Sequence, residues 1–193
     1  MSGLRIARLE IPEVLLIQTV RFPDERGWFS VTYNQQVYAE AGLPQAFCQE
    51  NHSLSRAVGT LRGLHYQKPP KTQAKLVQVL SGRILDVAVD LRKDSPTFGQ
   101  HVAVELSADD GRQLFVPRGF AHGFITRAPD TIVAYKVDND YAASLEDGLA
   151  WNDPDLGIDW GNGQGAVVMS DKDRKLPRLR DAGSPFVTES TMS

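Results

Sequence analysis

The sequence predicts an all-β protein, folded as a barrel or a two-sheet jelly roll with a few short helices. Three observations predict it. Short runs rich in β-branched and aromatic residues recur along the chain, several of them alternating apolar and polar positions. Turn chemistry separates the runs, at Pro69-Pro70, Ser81-Gly82, Ser95-Pro96, Asp110-Gly111 and Pro117-Arg118-Gly119. Helix signals are confined to two short stretches.

In chain order, strands are expected at Val14–Val20, Trp28–Tyr33, Phe47–Ser53 and Thr60–Gln67. Lys75–Leu80 and Ile84–Leu91 follow, then His101–Leu106, Gln113–Val116, His122–Thr126 and Thr131–Val137. The clearest is Ile84–Leu91. Leu85, Val87, Val89 and Leu91 share one face, and Asp86 and Asp90 lie on the other. With Ser81-Gly82 between them, Lys75–Leu80 and Ile84–Leu91 read as an antiparallel hairpin. Gln35–Ala41 reads as a short helix. Asp171–Lys175 reads as another, with Ser170 as N-cap and acidic residues near the positive end of the dipole. The stretch after Pro177 is polar and carries Gly183-Ser184-Pro185, so residues 178–193 are expected to wrap the surface or fray.

The 193 residues fit one domain, since no linker, repeat or low-complexity tract divides them. A formal charge of -3, from 21 basic and 24 acidic residues, argues against a general nucleic-acid binder and leaves room for a local basic pocket. No apolar run suggests a membrane span or a secretory leader, so a cytoplasmic protein is expected. Cys48 is the only cysteine. It excludes an internal disulfide and reads as a small buried hydrophobe.

The chemistry concentrates in a few segments. Thr60–Gln67 reads as a strand yet carries Arg62 and His65, which are costly to bury unpaired. Strict alternation sets them on opposite faces, and Gly63 between them permits a bulge that would re-aim one. A cavity-facing pair or an exposed edge strand would each account for them. His122 lies between Phe120 and Phe124 at strand spacing, as a core histidine or a functional one. Lys75 opens a β-branched strand, where a solvated lysine is the ordinary case. Tyr135 ends a strand and Tyr141 follows in a loop. The four histidines, His52, His65, His101 and His122, form no HxH or HxxxH pair, so no local element offers metal ligands at the usual spacing. Dinucleotide, P-loop and G-x-S-x-G motifs are absent.

Together these segments resemble one family, the dTDP-4-dehydrorhamnose 3,5-epimerases. The matching stretches are FPDERGWF, QENHS, GTLRGLHYQKPPKTQAKLVQV, SGRILDVAVDLRKDSPTFGQ, LFVPRGFAHGF, AYKVDNDY, WNDPDLGIDW and SDKD. They run in family order from Phe22 to Asp173. The resemblance implies a cupin-type jelly roll, a homodimer, no cofactor and no metal. It implies a dTDP-sugar substrate, dTDP-4-dehydro-6-deoxy-D-glucose, inverted at C3 and C5 to dTDP-4-dehydro-L-rhamnose.

By motif position the resemblance implies His65 as proton acceptor, Asp173 as its partner, Tyr135 as proton donor and Lys75 beside the sugar carbonyl. It implies substrate binding by Arg26, Gln49, Glu50, Asn51, Arg62, His122, Glu146 and Lys172, and a thymine-stacking role for Tyr141. One position departs: Val31 stands where the family commonly has a glutamate. Relatives that invert one carbon make a monoepimerase the leading alternative. A metal-using cupin enzyme and a non-catalytic sugar-nucleotide binder are the others. The residue types suit the reaction, because C3 and C5 both flank the C4 ketone. A near-neutral imidazole suits proton abstraction, a cation near O4 stabilises the enolate, and guanidinium groups suit a diphosphate.

Overall fold

The computed structural model describes residues 4–43, 46–161 and 165–186. Thirteen strands account for most of the regular structure there: β1 (Arg5–Arg8), β2 (Leu15–Gln18), β3 (Phe22–Asp24), β4 (Gly27–Phe29), β5 (Gln49–Ser55), β6 (Leu61–Gln67), β7 (Lys75–Ser81), β8 (Arg83–Asp90), β9 (His101–Ser107), β10 (Arg112–Val116), β11 (Phe120–Thr126), β12 (Thr131–Val137) and β13 (Glu146–Gly148). The helices are α1 (Gln35–Glu40), α2 (Asp171–Arg174) and α3 (Leu179–Ala182). A six-stranded sheet has the order β1-β2-β10-β7-β12-β5, and a five-stranded sheet the order β13-β6-β11-β8-β9. β3 and β4 form a separate two-stranded ribbon. All paired strands are antiparallel.

The two sheets pack face to face, and three apolar clusters follow from which side chains each strand turns inward. The inner core takes Val77 and Val79 from β7, Ile84 and Ala88 from β8, and Leu114, Phe120, Phe124 and Val133 from their neighbours. The outer face of the five-stranded sheet carries Leu85, Val87, Val89 and Leu91 and is covered by Leu149, Leu156, Trp160 and Phe186. The outer face of the six-stranded sheet is covered by Tyr38 of α1 and by Leu43. Asn34 caps α1 by accepting from the Val37 N–H, and the Tyr38 hydroxyl ties the helix to the sheet through Gln113 at 2.6 Å.

This layering corrects the expected hairpin of Lys75–Leu80 with Ile84–Leu91. β7 pairs with β10 and β12, whereas β8 pairs with β11 and β9. The two strands meet face to face across the inner core rather than edge to edge. The physical reason is that β8 is apolar or buried on both faces, so it needs a layer on each side and sits in the sheet interior. Gly82 carries the chain between sheets at φ +81°, and a Cβ there would stand 2.3 Å from Thr131 Oγ1.

Other expectations divide. The strands at Val14–Val20, Trp28–Tyr33 and Phe47–Ser53 exist but are shifted or shorter, and β1, β3 and β13 have no counterpart in the sequence reading. They are short, and β1 is exposed along most of its length, so hydrophobic alternation had little to register. Cys48 is exposed rather than buried, because it precedes the edge strand β5 with its sulfur against the Val137 carbonyl and Asp140. The expected peripheral tail holds an anchor: Ser184 is buried and bonds the Leu91 carbonyl, and Phe186 is buried edge-on against Tyr66. Residues 187–193 of that tail lie outside the described residues. Among the described residues no helix is long and apolar enough to cross a membrane.

Candidate active site

A cavity of about 510 Å³ is lined from both sheets and from the 168–173 segment. The five-stranded sheet contributes Arg62 and His65 from β6, His122 and Phe124 from β11, and Glu146 from β13. Facing them, the six-stranded sheet contributes Ser53 from β5, Lys75 from β7 and Tyr135 from β12. Lys172 and Asp173 reach the cavity from α2.

Arg62 and His65 share this cavity because β6 bulges. Opposite β11, His65 pairs with His122 but Arg62 pairs with Phe124, so one extra residue is accommodated between them. Gly63 makes that possible. Its φ is +111°, and an added Cβ would lie 2.7 Å from both the Gly123 Cα and the His122 carbonyl oxygen. Only a glycine gives the two strands this approach. The Arg62 guanidinium is held by the Ser55 hydroxyl at 3.1 Å and the Leu54 carbonyl at 3.0 Å, both from β5.

His65 Nε2 lies 2.9 Å from Asp173 Oδ1. The histidine side chain is 28% exposed and the aspartate 7%, so the ring reaches solvent while its partner does not. α2 places the aspartate: Ser170 is the N-cap and accepts from the Asp173 N–H at 3.1 Å. Burial pushes the Asp173 carboxyl upward. Hydrogen bonds from His65 and from the Gly63 N–H outweigh it and hold the group below the ordinary carboxylate range. The residue is therefore an anion beside the imidazole, the arrangement that fixes a tautomer and stabilises an imidazolium.

Lys75 is buried, with Nζ 3.4 Å from the His65 carbonyl oxygen. Burial lowers its ammonium to about 8, against the upward pull of Asp86 and Glu146. On β12, Tyr135 stands opposite Val77, two residues from Lys75, so both side chains share the inner face. Burial raises the Tyr135 phenol, with Arg62 opposing. It keeps its proton at neutral pH. The second cavity histidine, His122, has Nε2 2.6 Å from Asp86 Oδ1, and its side chain is only 7% exposed.

At the rim, Glu146 accepts from the Tyr141 hydroxyl at 2.6 Å and from Lys172 Nζ at 2.5 Å. Burial raises the Glu146 carboxyl, but the bonds from Lys172 and Tyr141 bring it below its ordinary value. Tyr141 itself is exposed. Among the described residues, no group of three or more His, Cys, Asp or Glu is arranged to hold a metal ion.

The family model for dTDP-4-dehydrorhamnose 3,5-epimerase matches residues 8–181. The chain belongs to this family. A curated dTDP-4-dehydrorhamnose 3,5-epimerase from Pseudomonas aeruginosa is 47% identical over 93% of this chain and 98% of its own length. The crystal structure of the Bacillus anthracis enzyme with TDP and PPi bound is 48% identical, with a TM-score of 0.88 over 92% of this chain and all of the other. The Legionella pneumophila enzyme, solved in complex with dTDP-4-keto-L-rhamnose, is 40% identical with a TM-score of 0.91 over 97% and 100% of the two chains. The mainly β architecture of two antiparallel sheets is that family's cupin jelly roll.

Of the residues expected from the sequence, eight share the cavity: Arg62, His65, Lys75, His122, Tyr135, Glu146, Lys172 and Asp173. Tyr141 joins them through Glu146. Four do not line it in the single chain. Arg26 is on the β3–β4 turn, 86% exposed and paired with Asp24. Glu50 faces outward and bonds Lys136. Gln49 and Asn51 bond each other on the half-buried side of the edge strand β5. The sequence reading missed Asp86 and Ser53. Asp86 had a signal, a carboxylate in the middle of an apolar strand. Ser53 had none beyond its alternation with Asn51 and Ser55.

Proposed function

We propose that this chain inverts C3 and C5 of dTDP-4-dehydro-6-deoxy-D-glucose, giving dTDP-4-dehydro-L-rhamnose. The observation that carries the reading is the placement of an imidazole and a phenol on opposing sheets of one cavity. His65 with Asp173 is on one wall, Tyr135 on the other, and a buried lysine lies beside them. A sugar ring between the walls has a base on one face and an acid on the other.

Each step uses a group the geometry provides. His65 takes the proton from C3 or C5, and the pair electrons move into the C4 carbonyl as an enolate. Asp173 stabilises the resulting imidazolium. The Lys75 ammonium meets the oxyanion, and His122 stands beside it in the cavity wall. One preorganised donor of this kind is worth about 3–4 kcal/mol. Tyr135 returns a proton to the opposite face, which inverts the centre. Because both carbons flank one carbonyl, a modest shift of the ring presents the second carbon to the same pair. Arg62 suits the diphosphate, since a guanidinium fork matches phosphate oxygens.

We further propose a homodimer. Phe22, Trp28, Phe29 and Val31 are all more than half exposed or nearly so along the ribbon that carries Arg26, an apolar surface that calls for a cover. A second copy covering it gives a setting in which Arg26 and the edge strand residues Gln49, Glu50 and Asn51 could meet substrate. Sedimentation as a monomer at micromolar concentration would remove the dimer.

Proton NMR of the product tests the reaction. Inversion at both C3 and C5 is expected. Inversion at one carbon only would replace this reading with the monoepimerase, the alternative that Val31 raises.

A further inference from the structure

Asp86 lies in the middle of β8, opposite Phe124 of β11 and Val104 of β9. Its side chain shares the inward face with Ile84 and Ala88, and it is fully buried. An anion in such surroundings is costly unless it is matched. Hydrogen bonding matches half of it. Oδ1 meets His122 Nε2 at 2.6 Å, while Oδ2 has no hydrogen-bond partner among the described residues. The remaining match is electrostatic. Asp86 is the larger of the two anionic influences that keep a proton on the buried Lys75, and Glu146 is the smaller.

The other charged or titratable groups on the cavity wall are already committed. His65 is closed by Asp173, and Glu146 is closed by Lys172 and Tyr141. Arg62 is held by Ser55 and Leu54, and Tyr135 is a neutral phenol at physiological pH. Asp86 is thus the buried carboxylate behind the oxyanion donor Lys75 and beside the His122 ring, which come from opposite sheets.

We propose that Asp86 is a positioning residue for the epimerisation: its carboxylate orients the His122 ring and supplies the counter-charge to the buried Lys75 ammonium. The proposal rests on the function proposed above and names what arms its oxyanion site. Nε2 carries the proton donated to Asp86, because an ionised carboxylate only accepts. Lys75 then meets the enolate as a cation instead of a neutral amine.

Asp86→Asn keeps the shape and an acceptor for His122 while removing the charge. The variant is expected to lose about 10- to 100-fold in kcat with KM changed by less than about threefold. The alkaline limb of kcat should move to lower pH by about one unit, because Lys75 loses an anion that favours its charged form. dTDP binding and Tm should hold. A structural role alone would lower Tm and dTDP affinity and leave the alkaline limb in place; that result, or parent kinetics, overturns the proposal.

If Asp86→Asn fails to fold, nitrogen-15 NMR of the unaltered protein decides. At neutral pH, His122 is expected with its proton on Nε2, and Lys75 as an ammonium. A bare Nε2 or a neutral Lys75 amine overturns the proposal. These spectra do not depend on turnover. An unaltered protein that leaves the dTDP-keto sugar unchanged would sink the proposed function, while the spectra still report whether Asp86 holds the two groups.

Discussion

Two imidazole–carboxylate pairs stand directly opposite each other across the β6–β11 ladder, His65 with Asp173 and His122 with Asp86. Their chemistry is the same and their surroundings are not. His65 is 28% exposed and takes its carboxylate from α2, more than a hundred residues away in sequence. His122 is 7% exposed and takes its carboxylate from the adjacent strand. The difference teaches that accessibility, rather than the dyad itself, separates a base from a support. A proton acceptor must reach the carbon it deprotonates. A ring closed in by its own sheet is limited to a supporting role.

The comparison breaks most sharply on paired substitutions. His65→Asn should cost about 10³-fold or more in proton exchange at C3 and C5, within the range of a positioned acid–base group. His122→Asn should cost about 10- to 100-fold and leave exchange measurable, as the loss of a group that shapes the oxyanion site does. Rate measurements by NMR on the two variants check this. Equal losses would erase the distinction between the pairs.

A smaller effect sharpens the geometry behind it. Gly63→Ala puts a Cβ against Gly123 and the His122 carbonyl, in a left-handed conformation that alanine avoids. We expect about 1–3 kcal/mol of destabilisation, read by denaturant unfolding, with His65 displaced and activity reduced. An alanine variant with parent stability would show that the bulge does not depend on this glycine.

Much of this arrangement is legible in the sequence. Alternation marked β8, β11 and β12, because each buries a regular apolar face. Gly63 flagged the bulge, since Arg62 and His65 otherwise fall on opposite faces. Ser170 marked the start of α2, and its cap is what sets Asp173 in place. Pairing was less legible. The Ser81-Gly82 turn looks like a hairpin turn locally, and only the need to cover both faces of β8 sends the chain to the other sheet. The role of Asp86 was hidden for a related reason. A carboxylate on the alternate face reads as a solvated position until a second sheet is known to cover that face. Arg26, Gln49, Glu50 and Asn51 sit on a ribbon and an edge strand, where a single chain shows no cavity for them.

The central claim is that a carbon acid beside the ketone loses its proton to the His65 wall and regains one from the Tyr135 wall. Turnover in deuterium oxide, followed by NMR at C3 and C5, tests it most directly when run on the parent protein beside Tyr135→Phe. The account predicts solvent deuterium at both inverted carbons in the parent, and in the variant exchange that outlasts inversion. Inverted product free of solvent deuterium, or inversion at the parent rate in Tyr135→Phe, would contradict it.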